Sequence, residues 1–105
     1  MQRGDVYRFK TPKGIGHEQQ GERFAVIVQA DPLLPRSVVL VAPTSTSARP
    51  ASFRPEIALD GTATRVLVEH VAAVDARRLG RRRGHLSAEE LWGVDDALLT
   101  VLGLG

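Results

Sequence analysis

Ser37-Val38-Val39-Leu40-Val41 runs without a break into Ala42-Pro43-Thr44-Ser45-Thr46-Ser47, and this passage decides how the chain is read. Four consecutive apolar residues, three of them β-branched, carry no helical period and predict a strand. An unbroken apolar run of this length suits a strand buried on both faces. The hydroxyl cluster Thr44–Ser47 then stands at the strand's end. A hydroxyl there can hold a phosphate oxygen, and it can equally close a turn.

Outward from that strand the pattern repeats. Phe24–Val28 is a second β-branched run, and Val6–Phe9 a shorter strand ahead of it. Phe53–Leu59 reads as a weaker strand that Pro55 pushes toward a sheet edge. Asp60-Gly61 is a turn signal, after which Arg65–Glu69 resumes as a strand that continues toward Val74. The last element changes period. Ser87, with Glu90 three residues on, forms a capping box. Leu91, Val94, Leu98, Val101 and Leu102 follow on one helical stripe, and Gly103 ends the helix. Several strands first and one helix last predict a mainly β (α+β) fold. Its form is a small barrel or strongly curved sheet with a packed C-terminal helix, a single domain over residues 1–105.

The chain has 105 residues, 43% hydrophobic and 25% charged, as in an ordinary soluble globular protein. No apolar run approaches the roughly 18 residues of a membrane span. The opening residues lack the basic-then-apolar layout of a secretory signal, so the expected location is the cytoplasm, with no membrane partner. There is no cysteine, which excludes disulfides and thiolate sites. His17, His70 and His85 are too widely spaced for a zinc pair, so neither metal nor cofactor is expected. No nucleophile elbow or dinucleotide fingerprint occurs. Arg3-Gly4-Asp5 spells an adhesion tripeptide by chance.

Lys and Arg outnumber Asp and Glu by 14 to 12, and five of the arginines fall within Arg77–Arg83. Arginine suits planar, bidentate contact with phosphate, so the balance permits an RNA substrate without requiring one. The basic run reads as a solvated turn with some steering of RNA, or as a dock for an acidic partner segment. Residues 14–23, Gly-Ile-Gly-His-Glu-Gln-Gln-Gly-Glu-Arg, gather carboxylates, amides, a histidine and an arginine in a loop long for a hairpin. Such a loop is either functional or simply solvated. Glu69-His70 offers a carboxylate beside an imidazole, which is an acid–base pair or an ordinary strand end.

Taken in order, these segments resemble the MazF/PemK family of toxins. Arg3-Gly4-Asp5-Val6-Tyr7 looks like that family's first strand, and Gly16–Arg23 its first loop, closest to the PemK/Kid branch. Val39–Ser45 is similar to the strand that ends in a catalytic threonine. Val68–Asp75 with Arg78-Leu79 resembles the late strand and its turn, and Gly84–Ser87 with the amphipathic segment after it the C-terminal helix. The resemblance implies an SH3-like curved sheet of the CcdB/MazF type, paired as a homodimer. It also implies an endoribonuclease, the toxin of a type II toxin–antitoxin system, cutting single-stranded mRNA and bound by a cognate antitoxin. A ribose 2′-hydroxyl attacks the neighbouring phosphate, without a metal.

Carried over by position, the resemblance implies that Arg23 stabilises the phosphate, that Thr44 hydrogen-bonds it, that Glu69 is the base and that His17 assists. Gln19, Gln20, Ser45 and His70 would line the RNA path. Two departures stand out: Leu67 and Ala72 occupy positions where the family often has arginine. The acid is then Arg23, acting twice, or His17 or His70. The alternatives are a catalytically weakened module that binds RNA or antitoxin, and a CcdB-like gyrase poison. Trp92, early in the helix rather than at the C-terminus, argues against the last.

Overall fold

A computed structural model describes residues 1–10 and 23–105 of the chain. Its strands are β1 (Asp5–Phe9), β2 (Arg23–Ile27), β3 (Val38–Ser45), β4 (Glu56–Leu59), β5 (Thr62–Val66), β6 (Ala72–Asp75) and β7 (Leu79–His85). A single helix, α1 (Ala88–Leu102), closes the chain. All pairings are antiparallel, in the order β4-β5-β3-β2-β1-β7, with β6 lying against β3. The expected mainly β, strongly curved sheet with a C-terminal helix is what forms.

The eight residues of β3 organise the rest. Its first half pairs with β6, from Val38↔Asp75 to Val41↔Ala72, while its last two residues pair with β5, Thr44↔Val66 and Ser45↔Arg65. Its middle meets β2 on the other side, Ala25↔Pro43 to Ile27↔Val41. One strand shared among three partners bends the sheet and gives it two packed faces. On one, Val6, Val26, Ala42 and Val66 meet Val94 and Ala97 of α1; on the other, Ala25, Ile27, Val39 and Val41 meet Val74 and Leu79. The turn Asp60-Gly61 joins β4 to β5 with both residues at positive φ, 52° and 78°, as an Asp-Gly hairpin requires.

Four expectations are corrected. Burial on both faces holds for Ala25, Val26 and Ile27 of β2, but not for the start of β3, where Val38 and Leu40 are exposed and only Val39 and Val41 are buried. The buried helix residues lie over the sheet's far half, so this stretch of β3 is covered on one side alone. The segment from Arg65 to Val74 is not one strand. After β5 the Leu67 N–H goes to the Pro43 carbonyl at 2.8 Å, and Val68–His70 turn as a 3-10 helix before β6. The basic run is a turn only at its start: Arg77 and Arg78 lie in a 3-10 turn, whereas Arg81, Arg82 and Arg83 lie within β7, along β1. In α1, Ala97 is buried and Leu102 exposed, the reverse of what the stripe suggests.

Candidate functional site

The end of β3 and the turn after β5 meet because the sheet bends there. Thr44 pairs with Val66 and so shares its inward face; it is 4% exposed, and its hydroxyl donates to the Phe24 carbonyl at 3.4 Å. That bond is at the long limit and therefore weak. Phe24 is next to Arg23, which opens β2 half-buried and opposite Phe9. Thr44 and Arg23 are thus brought within a residue of each other along the backbone. Ser45 points the other way. Its Oγ lies 3.3 Å from the Ser47 Oγ and accepts from the Ser47 N–H, so this hydroxyl does close a turn.

Glu69 sits in the 3-10 turn with its side chain mostly covered. The Arg54 guanidinium donates to Glu69 Oε2 from Nε at 2.6 Å and from Nη2 at 2.6 Å. The other carboxylate oxygen, Oε1, is enclosed and has no hydrogen-bond partner among the described residues. Burial alone would raise the Glu69 pKa, but the Arg54 bonds, a backbone bond and the nearby His70 outweigh it and hold the carboxyl below its ordinary range. His70 is largely exposed, its Nε2 4.0 Å from Glu69 Oε2. His17, Gln19 and Gln20 lie outside the described residues.

Arg54 is the residue that sequence reasoning missed. The stretch before it reads only as punctuation, and a residue preceding proline is pushed to extended backbone. The structure fixes it by pairing. The Val66 N–H bonds the Pro55 carbonyl at 2.9 Å, and Arg65 Nη1 bonds the Arg54 carbonyl at 2.8 Å. Arg65 in turn reaches Glu56, its cross-strand partner, at 3.6 Å. One arginine, Arg54, therefore holds Glu69 although positions 67 and 72 carry none, and Arg65 braces the Arg54 backbone. The only local hint was an arginine just before an edge strand.

Beside Thr44 a cavity of about 210 Å³ opens between the end of β3, the β4–β5 turn and β7. Phe24, Thr62, Thr64, Asp60 and Arg83 are among its walls. Arg83 Nη2 holds Asp60 Oδ2 at 2.7 Å across it. A second, wider hollow at the C-terminal end of α1 is lined by Leu98, Leu99, Leu102 and Leu104 with Arg3 and Asp95. No helix among the described residues is long and apolar enough to cross a membrane.

A strongly curved antiparallel sheet packed by one terminal helix is the class of fold that several solved toxin structures share. The Mycobacterium tuberculosis toxin MazF-mt6 superposes with a TM-score of 0.79 at 18% identity, over 96% of this chain and 98% of that one. An endoribonuclease in complex with its cognate antitoxin, from a mycobacterial species, superposes with a TM-score of 0.77 at 22% identity, over 100% and 97%. At such identities the likeness is one of fold. The chain belongs to the PemK-like, MazF-like toxins of type II toxin–antitoxin systems, whose family model matches residues 2–102. The Mycobacterium tuberculosis protein Rv3098A, a toxin by name, is 43% identical over 105 residues, 97% of each chain.

Proposed function

We propose that this toxin is an endoribonuclease that cuts single-stranded RNA through the substrate's own 2′-hydroxyl, and that Arg54 takes the place of the arginines absent at Leu67 and Ala72. The observation that carries the reading is the Arg54–Glu69 pair, in the turn that directly follows the pairing of Thr44 with Val66. Such a reaction needs a base, an acid and fixed positive charge, and the nucleophile comes with the substrate. Glu69 takes the 2′-proton as the O2′–P bond forms. The P–O5′ bond breaks, and the departing 5′-oxygen takes a proton from the Arg23 guanidinium, which later regains one from solvent. Negative charge builds on the phosphoryl oxygens, where Arg23, Arg54 and the Thr44 hydroxyl stabilise it. Thr44 releases its weak bond to Phe24 to do so.

Arg54 has a second consequence. A base must be ionised to act, and Arg54 keeps Glu69 ionised below the usual carboxylate range. Activity therefore persists as pH falls toward the unperturbed carboxyl value of 4.5, and is lost only as pH passes through the depressed value. Removing Arg54 moves that acid limb to higher pH.

The family's MazF-like members are endoribonucleases in general, and they pair as dimers and bind antitoxins; we extend all three properties to this chain. The test is cleavage of a long unstructured RNA in EDTA. Wild type gives discrete cuts; Arg23→Ala, Thr44→Ala and Glu69→Gln each lose about 100-fold or more in rate, the scale of losing a general acid, base or charge-stabilising donor. In Arg54→Gln the rate falls and the acid limb rises. Full activity in purified Glu69→Gln would sink the assignment of the base.

One observation favours a second reading, RNA or antitoxin binding without cutting. Glu69 Oε2 is clamped by Arg54 and Oε1 is enclosed, so neither oxygen is open. RNA retention with no cuts at any enzyme concentration would establish it. Gyrase supercoiling is unaffected under either reading.

A further inference from the structure

Arg78 is a cation that the proposed reaction does not yet use. The 3-10 turn Ala76–Arg78 that carries it is fixed at its start, where Asp75 accepts from the Arg77 N–H at 2.8 Å and binds the Arg77 guanidinium at 2.8 Å. At its end the Arg78 carbonyl accepts from the Lys10 N–H at 2.8 Å, which ties the turn to the end of β1. Held there, Arg78 is half-buried, with its guanidinium 4.4 Å from the centre of the Phe9 ring. The ring face attracts the charge but offers no lone pair to the guanidinium N–H groups. Arg78 Nε is enclosed without a hydrogen-bond partner, and no carboxylate among the described residues is paired with this arginine. A buried charged donor left unpaired is costly, and an incoming anion would offset that cost.

Phe9 links Arg78 to the reaction. It stands directly opposite Arg23 in the β1–β2 pairing, so these two side chains share one face of the sheet. Such partners lie about 5 Å apart at Cα. Arg23 and Arg78 therefore flank one ring, and Arg23 too is paired with no carboxylate among the described residues. Like charges repel, and two of them set side by side without an acid suit an anion of more than one charge. A phosphodiester carries one negative charge, and the phosphoryl group gains a second once the 2′-oxygen has added. Arg54 enters the reaction already matched by Glu69, and Arg23 gives its proton to the departing oxygen. A site with Arg23 alone would lose its uncommitted cation as the leaving group departs.

We infer that Arg78 is a second catalytic cation, meeting the same phosphate as Arg23 and binding it most tightly when it carries two charges. The inference rests on the ribonuclease reading for its reaction, but the paired cations can be tested by binding alone. At about pH 8 uridine 3′-monophosphate is a dianion, whereas uridine 2′,3′-cyclic phosphate carries the same base with one charge. Each is titrated into the full chain while the Nε–H signals of Arg23 and Arg78 are followed by NMR. Both signals move with the monophosphate, which binds about tenfold more tightly than the cyclic form, the scale of one charge-assisted hydrogen bond. Arg78→Gln abolishes that preference and keeps the affinity for the cyclic form within about twofold. In RNA cleavage the same variant lowers kcat by about 100-fold and leaves KM unchanged, because the lost interaction forms only as the charge grows. Arg78→Lys restores the charge without the planar fork and recovers part of kcat.

A shift of the Arg23 Nε–H alone, or a monophosphate preference kept in folded Arg78→Gln, would overturn the assignment. So would a raised KM with kcat unchanged, which would set Arg78 on a flanking phosphate instead. Should Arg78→Gln lose its fold, the wild-type Arg78 signal and Arg78→Lys decide alone. A wild type that shows the Arg78-dependent preference and cuts no RNA would leave the paired cations standing and remove the ribonuclease. RNA cut equally well by wild type and Arg78→Gln would remove the second cation alone.

Discussion

At the scale of single residues, Asp5 shows how little a local string reveals. Within Arg3-Gly4-Asp5 it looks like a surface tripeptide, yet it is 2% exposed and holds three donors. The Gln2 N–H reaches Oδ2 at 2.8 Å, while His85 Nδ1 at 2.7 Å and Arg82 Nε at 3.1 Å reach Oδ1. Burial raises its pKa, and these bonds together more than reverse the effect, leaving it below 3.8. A carboxylate whose folded pKa is depressed contributes stability above its unfolded value, which is lost as pH falls through the folded one. Asp5→Asn is therefore expected to cost about 2 kcal/mol or more at neutral pH, by leaving buried donors poorly matched. Urea melts at pH 7 and below pH 3 check this: the difference between variant and wild type shrinks in acid. A difference as large below pH 3 as at pH 7 would show that packing, not charge, holds Asp5. Thr44 and Glu69 were legible in sequence because each stands in a recognisable string; Arg54 and Asp5 were not, because their partners are remote along the chain.

At the scale of elements, the hairpin and the helix start were legible, since Asp60-Gly61 and Ser87–Glu90 act through neighbours in sequence. The capping box forms as read, with the Glu90 N–H donating to Ser87 Oγ at 3.1 Å and the Ser87 N–H to Glu90 Oε1 at 2.9 Å. Sequence could not show that Glu90 does more. Its Oε2 accepts from the Ala58 N–H of β4 at 2.8 Å, satisfying a donor on the sheet's edge and tying the helix start to it. Ser87→Ala is expected to cost about 1 kcal/mol, as for an ordinary N-cap. Glu90→Ala, losing both bonds, should cost roughly twice that. Equal losses in chemical unfolding would mean that the bond to Ala58 contributes nothing. β7 stayed hidden for the opposite reason. Leu-Gly-Arg-Arg-Arg-Gly-His has no β-branched residue, and only the free edge of β1 makes it a strand.

At the scale of the whole molecule, twelve arginines suggest a strongly cationic surface, and the ion pairs contradict that. At least six are engaged: Arg3 with Asp95, Arg54 with Glu69, Arg65 with Glu56, Arg77 with Asp75, Arg82 with Asp5 and Arg83 with Asp60. With a formal net charge of +2, little is left to gather phosphates at long range. Within the basic run, Arg77, Arg82 and Arg83 are committed to carboxylates, whereas Arg81 is exposed. Steering by the run as a block is therefore weaker than its composition implies. Binding to single-stranded RNA falls with salt by about 0.7 in log–log slope for each phosphate neutralised. If two or so phosphates are met, chiefly by Arg23 and Arg81, affinity drops about sevenfold between roughly 50 and 200 mM salt. Arg81→Gln lowers that slope by about 0.7 and leaves thermal stability unchanged, because the side chain is exposed. Arg83→Gln instead lowers stability, since it breaks the bridge to Asp60 that joins β7 to the β4–β5 turn. Fluorescence titrations of a short RNA across the salt series, with melts of both variants, separate the two roles. A slope unchanged in Arg81→Gln, or a drop of a thousandfold in wild type, would mean that the paired arginines leave their carboxylates to meet the RNA.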